Sequence, residues 1–286
     1  MGASYPDVLA KLTGKTVYNM GVAGETSMTI AARQGAVEMI VPQDFIIPAS
    51  GSVALSLAST TVAGNTYYYI PTEEDGKVDP MTVNYGGWIP MIINGVEGTL
   101  SMSITVGDLR PRLLSSATFT RTTSGSEVYV PAGTKIQCAA HSVTGDVNIF
   151  FTGTNGGWNT NNTGDTDSAL EAEELAALIQ KLVMATGSPE KYIVIGLTNG
   201  NYNNWKNTNG VLAEAFGEHF LNAKAYLASE QVLEDAGITL TQQDITDLSN
   251  GMIPTSLRTD STHFNDAGYV LLAQQVYVKL QELGYL

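Results

Sequence analysis

The 286-residue chain has one cysteine, Cys138, and only three histidines, His141, His219 and His263. A lone cysteine excludes an internal disulfide framework and any zinc cluster built on several thiolates, and three scattered histidines leave no histidine-rich metal set. Cys138 falls in the alternating stretch "TKIQCAAHS", which reads as buried packing rather than as a reactive thiol. Basic residues are scarce as well: 14 Lys and Arg stand against 28 Asp and Glu, a formal net charge of -14. A nucleic-acid partner needs a basic face, so this balance argues against one. No run approaches the ~20 apolar residues of a membrane-spanning helix. No signal peptide is legible either, since Met1 leads into small polar residues and a short helix. The compartment stays open, an extracellular, virion-surface or cell-surface setting included.

What is present is an ordinary globular composition, 43% apolar and 15% charged, long enough for two domains. Pro6 suits the first turn of a helix running through Leu12, with Gly14 as its stop. Thr16 to Met20 is a short β-rich run, and "ETSMTIAARQG" predicts a helix from about Thr26 to Gly35. From about residue 34 to about 141 the character changes to Thr, Val, Ser, Gly and Tyr. Short apolar runs such as "SVALSL", "NTYYYI" and "GTLSMSITV" are separated by turn residues, which predicts an inserted all-β sandwich or barrel. As a structural lid, an oligomerisation element or a carbohydrate-contacting module, the insert's role stays open.

From Asp146 an α/β pattern returns. "VNIFFTG" and "KYIVIGL" are continuous apolar runs of the kind buried on both faces of a parallel sheet. Between them Ser168 and Glu171 suggest a capping box, and Leu175, Leu178, Ile179 and Leu182 form one helical stripe. "GNYNNWKNTNG" reads as a polar loop. A terminal helix begins near Asn265, with Tyr269, Leu272, Ala273, Val276, Leu280 and Leu283 on one face. The expected domains are 1–33 with 142–286, discontinuous, and 34–141 inserted between them.

Asp260-Ser261-Thr262-His263 stands just ahead of that terminal helix. An Asp three residues before a His can hold one imidazole nitrogen and leave the other free, the base half of a nucleophilic triad. An Asp/His pair that merely caps a helix has the same spelling. Gly24 either shapes a strand-to-helix turn or lets backbone approach a substrate. Asn155, in "IFFTGTNGGW", either forms a turn or offers an uncharged double donor. Trp158, Tyr202 and Trp205 lie among many Asn residues in the two expected loops. Aromatic faces with amides suit sugar rings, and equally make a plain surface cluster. His141 and His219 have no matching partners in sequence and read as structural or surface histidines.

Three of these segments resemble, in chain order, the blocks of the SGNH hydrolases, the GDSL-type esterases and lipases. "VYNMGVAGETS" resembles the second block with Gly24, "GTNGGW" the third with Asn155, and "DSTHFNDAGY" the last with Asp260 and His263. The resemblance covers Tyr5 to about Arg33 and about Asp146 to Leu286. It implies a three-layer, flavodoxin-like parallel sheet (the SGNH hydrolase fold) carrying the all-β insert. It also implies a serine ester hydrolase acting on acyl esters, carbohydrate O-acetyl esters among them, with no metal or organic cofactor. In that scheme Asp260 and His263 are orienter and base, Gly24 and Asn155 are oxyanion donors, and Trp158, Tyr202 and Trp205 contact substrate.

Two departures qualify the resemblance. Gly156 stands where the family often has Asp. No Gly-Asp-Ser occurs anywhere, and the opening "MGASYPDVLAKLTG" resembles the segment just after the family's nucleophile. The expectation is therefore a chain without its first strand and serine loop, and with impaired activity. Ser4, Ser27 and Ser261 are the weak substitutes by position. The competing reading is a non-catalytic glycan- or surface-binding protein derived from a hydrolase; a third is an unrelated α/β protein in which the motifs coincide by chance.

Overall fold

Alternation of buried and exposed residues organises the larger of the molecule's two kinds of sheet. The computed structural model describes residues 4–62, 65–74, 77–78, 88–106, 112–138, 145–156, 169–198 and 202–286. Among these residues eleven strands fall between Met39 and Cys138: β1 (Met39–Ile40), β2 (Phe45–Ile47), β3 (Ser52–Leu55), β4 (Ala58–Val62), β5 (Asn65–Pro71), β6 (Lys77–Val78), β7 (Trp88–Ile93), β8 (Val96–Val106), β9 (Arg112–Arg121), β10 (Val128–Val130) and β11 (Lys135–Cys138). Nine of them form one antiparallel sheet along the path β1-β11-β7-β8-β9-β5-β4, with β3 added to β9 and β6 to β5; β10 pairs with β2 separately.

On β8, Val96, Leu100 and Met102 are buried while Glu97 and Ser103 are exposed, the period of two that a one-sided sheet requires. Asn94 (φ 48°) and Gly95 (φ 76°) turn β7 into β8, and positive φ at both positions suits the twist of a two-residue hairpin. Gly98 leaves room for the Phe119 ring: a Cβ there would lie 2.4 Å from Cζ. Phe119 joins Ile47, Ile70, Met91, Ile93, Leu100 and Cys138 in one apolar cluster. Cys138 is thus a packing residue of the β core.

The helical part opens with α1 (Tyr5–Thr13), capped by Ser4 and ended by Gly14 at φ 66°. α2 (Ser27–Arg33) comes next, capped by Thr26. After the β region come β12 (Asn148–Phe150), α3 (Ala169–Met184), β13 (Tyr192–Ile195), α4 (Tyr202–Phe216) and β14 (Phe220–Leu221). α5 (Ala223–Leu227), α6 (Glu230–Asp235), α7 (Gln242–Ser249) and α8 (Asp266–Glu282) complete the chain. β12, β13 and β14 form a parallel sheet in that order. On β13, Ile193 and Ile195 pack with Leu9, Leu272 and Val276 of α1 and α8, whereas Val194 packs with Leu175, Ile179 and Leu212 of α3 and α4. Helices therefore cover both faces, as the apolar runs required.

The flavodoxin-like three-layer sheet expected for the chain is not what it builds. The dominant sheet is antiparallel and curled, and the parallel sheet has three strands among the described residues. Thr16 to Met20, read as a strand, is in no strand. Its β propensity finds no neighbouring ladder, and propensity without pairing does not make a strand. The Asn-rich stretch after β13, read as loop, is mostly helix α4. Its Asn209 is buried and pairs with Leu197 through both ends of its amide: Oδ1 accepts from the backbone N–H at 2.7 Å, and Nδ2 donates to the carbonyl at 2.9 Å. Polar composition here satisfies buried backbone rather than meeting solvent. The suggested cap residue Ser168 lies outside the described residues.

Candidate functional site

The Asp260–His263 loop is built by short-range hydrogen bonds. Asp260 Oδ1 accepts from the backbone N–H of Thr262 and of His263, both at 2.8 Å. The Thr259 N–H donates to the His263 carbonyl at 2.9 Å, and Arg258 and Phe264 form an antiparallel bridge across the loop. The ring of His263 is thereby turned back on the carboxylate, with Nδ1 3.0 Å from Oδ1 and 2.8 Å from Oδ2. The hydrogen bond from His263, and then those from the two backbone N–H groups, hold the Asp260 carboxyl at about 2, below the usual carboxylate range. Both side chains are more than half exposed, 54% for Asp260 and 67% for His263, so the pair is open to solvent. With Nδ1 engaged, Nε2 is the nitrogen left to exchange a proton.

Three residues without a sequence-level role hold this loop in place. Arg258 donates from Nε to the Ile253 carbonyl at 2.7 Å and from Nη1 to the Asp260 carbonyl at 3.4 Å, while Nη2 lies 2.9 Å from Asp247 Oδ2. Asp247 also accepts from the N–H and hydroxyl of Thr255. Asp244, fully buried, accepts from the N–H and hydroxyl of both Thr241 and Ser256. Burial pushes its carboxyl up, but these bonds outweigh burial and bring it to about 2. The available signal was Thr241-x-x-Asp244, a capping-box spacing that α7 uses. Downstream, Asn265 caps α8 through the Gly268 N–H and donates to the Ser256 carbonyl. A Cβ at Gly268 would meet the Leu257 carbonyl at 2.3 Å, so the helix seats directly on the turn before the loop.

Lys224 is the other residue that sequence reasoning passed over. It is fully buried, and its ammonium donates to the Thr198 carbonyl at 2.9 Å. With Arg258, Ser261 and Thr262 it lines a water-sized void of about 10 Å³ beneath the loop. Burial first, and the Arg258 charge second, bring its pKa down to about 8.

Gly24 and Asn155 meet at the carboxyl end of β12. Gly24 turns the chain at φ 82°, and Asn155 Nδ2 donates to the carbonyl of the next residue, Glu25, at 3.1 Å. The Ser27 N–H donates to the Gly156 carbonyl at 2.9 Å, and the buried Ser27 and Thr152 hydroxyls are 2.9 Å apart. Below them the buried Glu25 carboxylate pairs with Arg33, with 2.6 Å between Oε2 and Nη2. Two segments 130 residues apart are therefore clamped into one rim.

Asp260 thus meets His263, and Asn155 meets the residue that follows Gly24. Among the described residues no hydrogen bond or ion pair joins Asp260 and His263 to Gly24 and Asn155, and no serine hydroxyl bonds to the His263 ring. Ser4 caps α1 and donates to Asp7, and Ser27 is spent on Thr152. Trp158 lies outside the described residues. Tyr202 and Trp205 belong to α4 rather than to a loop. His219 stacks on Tyr192 with ring centroids 4.1 Å apart and places Nδ1 3.0 Å from the Tyr192 carbonyl, a structural role. His141 lies outside the described residues. No helix among the described residues is long and apolar enough to cross a membrane. Compared with known proteins, the chain matches no family model and no curated relative.

Proposed function

We propose that the chain carries the base and oxyanion parts of a serine-type acyl-ester hydrolase site. The observation that carries this reading is the two-oxygen hold of Asp260 on His263 Nδ1, at 2.8 and 3.0 Å, on an exposed loop. A helix cap has no need to grip the ring; here Asn265 caps α8, while Asp260 holds the imidazole along with two backbone N–H groups of its own turn. His263 would take the proton of an attacking hydroxyl through Nε2, and Asp260 would stabilise the imidazolium. The Gly24 N–H and the second N–H of the Asn155 amide would receive the oxyanion, each such donor being worth on the order of 10²–10³ in rate. Acyl esters, O-acetylated sugars among them, are the proposed substrates, and Trp158, Tyr202 and Trp205 their proposed contacts.

The absence of a serine bonded to His263 among the described residues favours a second reading, a glycan- or surface-binding protein that kept the loop without the reaction. Hydrolysis of p-nitrophenyl acetate separates the two. The chain alone should act barely above background, since His263 can at best activate water. Joining a segment that ends in Gly-Asp-Ser-Leu ahead of Ser4 should raise the rate by several orders of magnitude. That gain should vanish on His263→Ala and shrink strongly on Asn155→Ala. A folded fusion with no His263-dependent gain would sink the hydrolase reading and leave the binder.

A further inference from the structure

The hydrogen bonds inside the Asp260–His263 loop fix its shape but not its place. Asp260 accepts from the backbone N–H groups of Thr262 and His263, and the Thr259 N–H and hydroxyl both donate to the His263 carbonyl. Each of these bonds begins and ends within residues 259–263. Among the described residues a single hydrogen bond leaves that segment, and it comes from Arg258 Nη1, which donates to the Asp260 carbonyl at 3.4 Å.

The rest of the Arg258 guanidinium is anchored in the body of the molecule. Nε donates to the Ile253 carbonyl at 2.7 Å, and Nη2 meets Asp247 Oδ2 at 2.9 Å and the Thr255 hydroxyl at 3.3 Å. Asp247 belongs to α7 and also accepts from the Thr255 N–H and hydroxyl and from the Gln243 amide. Burial pushes its carboxyl up, but the bonds from Thr255, Gln243 and Arg258 outweigh burial and hold it below the ordinary range, so the charge facing the guanidinium is kept. This pair is shielded: 16% of the Arg258 side chain and 8% of the Asp247 side chain are exposed, against 67% for His263 and 54% for Asp260. Water screens the first pair less than the second. The sheltered pair thus braces the exposed one.

The arrangement calls for a planar fork. An ammonium is one point charge on a flexible stem, whereas a guanidinium presents its donors in a fixed plane to acceptors in several directions. Where that plane sits decides where the Asp260 main chain sits, and with it how the carboxylate meets Nδ1 at 2.8 Å. Which imidazole nitrogen carries the proton is set by the hydrogen bond that the ring makes, and a triad base in the wrong tautomer is lost to the reaction.

We propose that Arg258 is a positioning residue of this site: braced on Asp247 and Ile253, its guanidinium holds the Asp260 main chain so that the carboxylate keeps the His263 proton on Nδ1 and leaves Nε2 bare. The role rests on the hydrolase reading, because a bare Nε2 matters only to a base. It is nevertheless measured without catalysis and without a serine.

The test reads the nitrogen-15 shifts of the His263 ring in the 286-residue protein at about pH 8, above the usual histidine range. The signals are identified by their loss in His263→Ala. Arg258→Met should lower the ratio of the Nδ1–H form to the Nε2–H form roughly two- to fivefold, the size of one exposed ion pair lost. Arg258→Lys keeps a charge for Asp247 but loses the fork, and should fall part of the way. The amide signals of β13 and α8 should stay in place in both, which separates orientation of the ring from stability of the fold. An unchanged ratio in folded Arg258→Met would overturn the proposal, and an unchanged ratio in Arg258→Lys would do so if the Met variant does not fold. So would a fall accompanied by equal movement of the β13 and α8 amides, since Arg258 would then serve the fold at large. The hydrolase reading fails separately: a ratio that falls as expected, beside a serine-bearing fusion with no His263-dependent gain, would keep the Arg258 brace and remove the reaction it serves.

Discussion

The antiparallel β region and the three-stranded α/β region solve the same problem, pairing their backbone, in opposite ways. Between Met39 and Cys138 the hairpins β4-β5, β7-β8 and β8-β9 pair sequence neighbours, as β7 and β8 do across Asn94-Gly95, and the distant pairings of β1 with β11, β2 with β10 and β3 with β9 are laid on them. In the α/β region β12 and β13 are joined through a whole helix, and the neighbouring Thr16–Met20 run stays out of the sheet although it is read as a strand. Local contacts complete themselves; a parallel sheet needs every distant segment in place. Every described strand of the β region thus has a partner on the antiparallel ladder, while among the described residues β12 of the α/β region pairs with β13 alone. Both halves of the proposed site lie at loops of this less complete region.

The largest effect that can break this contrast is a core truncation confined to the β region. Phe119 is fully buried against Gly98, and Phe119→Ala should cost about 3–5 kcal/mol through lost transfer energy and the cavity left behind. The β cluster meets the α3/α4 cluster at α2, through Ala32 and Met28, and is otherwise built from strands, so thermal unfolding should show the β transition moved down by that amount and the α/β transition moved much less. A single transition shifted as a whole would show that the regions fold as one unit. Excising 34–141 would then fail as well.

The same division governs how legible each region is in the sequence. Strand alternation, the Gly14 stop of α1, the stripe of α3 and the face of α8 are local patterns, and they appear in the sequence as they do in the fold. Strand direction and partner are not local: nothing in "TVYNM" says whether a ladder adjoins it, and nothing in "VNIFF" says that its partner is β13. The Asp260–His263 spacing is legible because three residues suffice to close that loop. Arg258, at the start of the loop, and Asp244 and Asp247, which hold it from α7, are not, apart from the capping-box spacing. Lys224 carries no signal, since a lysine in a helix is ordinarily solvated and this one is buried only because α5 packs under the loop.

An intermediate effect sharpens the comparison from the α/β side, through pH. Lys224 has its pKa lowered to about 8 by burial, below the ordinary value of 10.5. The unfolded chain then binds more protons than the folded one between about pH 8 and 10.5, so this residue's contribution to stability rises with pH across that window. At about 1.4 kcal/mol per pKa unit the gain is roughly 1–3 kcal/mol. Chemical denaturation at pH 7.5 and pH 10 should show it in the α/β transition, and Lys224→Met should flatten it. Tyr5, pushed up to about 12 by burial, acts in the opposite sense above pH 10, so the comparison with Lys224→Met rather than the raw slope is the measurement that counts. A slope unchanged by Lys224→Met would place that ammonium in contact with water and loosen the floor beneath the Asp260–His263 loop.

The smallest effect on stability is the most telling for the site. Asp260 is exposed, so its bonds to His263 and to two backbone N–H groups contribute little to folding; what they change is the carboxyl's own titration. A carboxyl held down to about 2 contributes whatever it does above the ordinary carboxylate range and loses it as the pH falls through about 2. Carbon-13 detection of the Asp260 carboxyl should therefore show no protonation at pH 3.5, where an unpartnered aspartate would be largely protonated. His263→Ala removes the largest cause together with the charge of the ring and should move the midpoint upward, while the backbone N–H groups of residues 262 and 263 still keep it below the ordinary value. His263→Gln, which offers a neutral amide to the same carboxylate, should restore part of the lowering. An Asp260 midpoint indifferent to His263→Ala would mean that the carboxylate serves the backbone turn and not the ring. The loop would then be only a well-made entry to α8, and the hydrolase reading would lose the observation on which it stands.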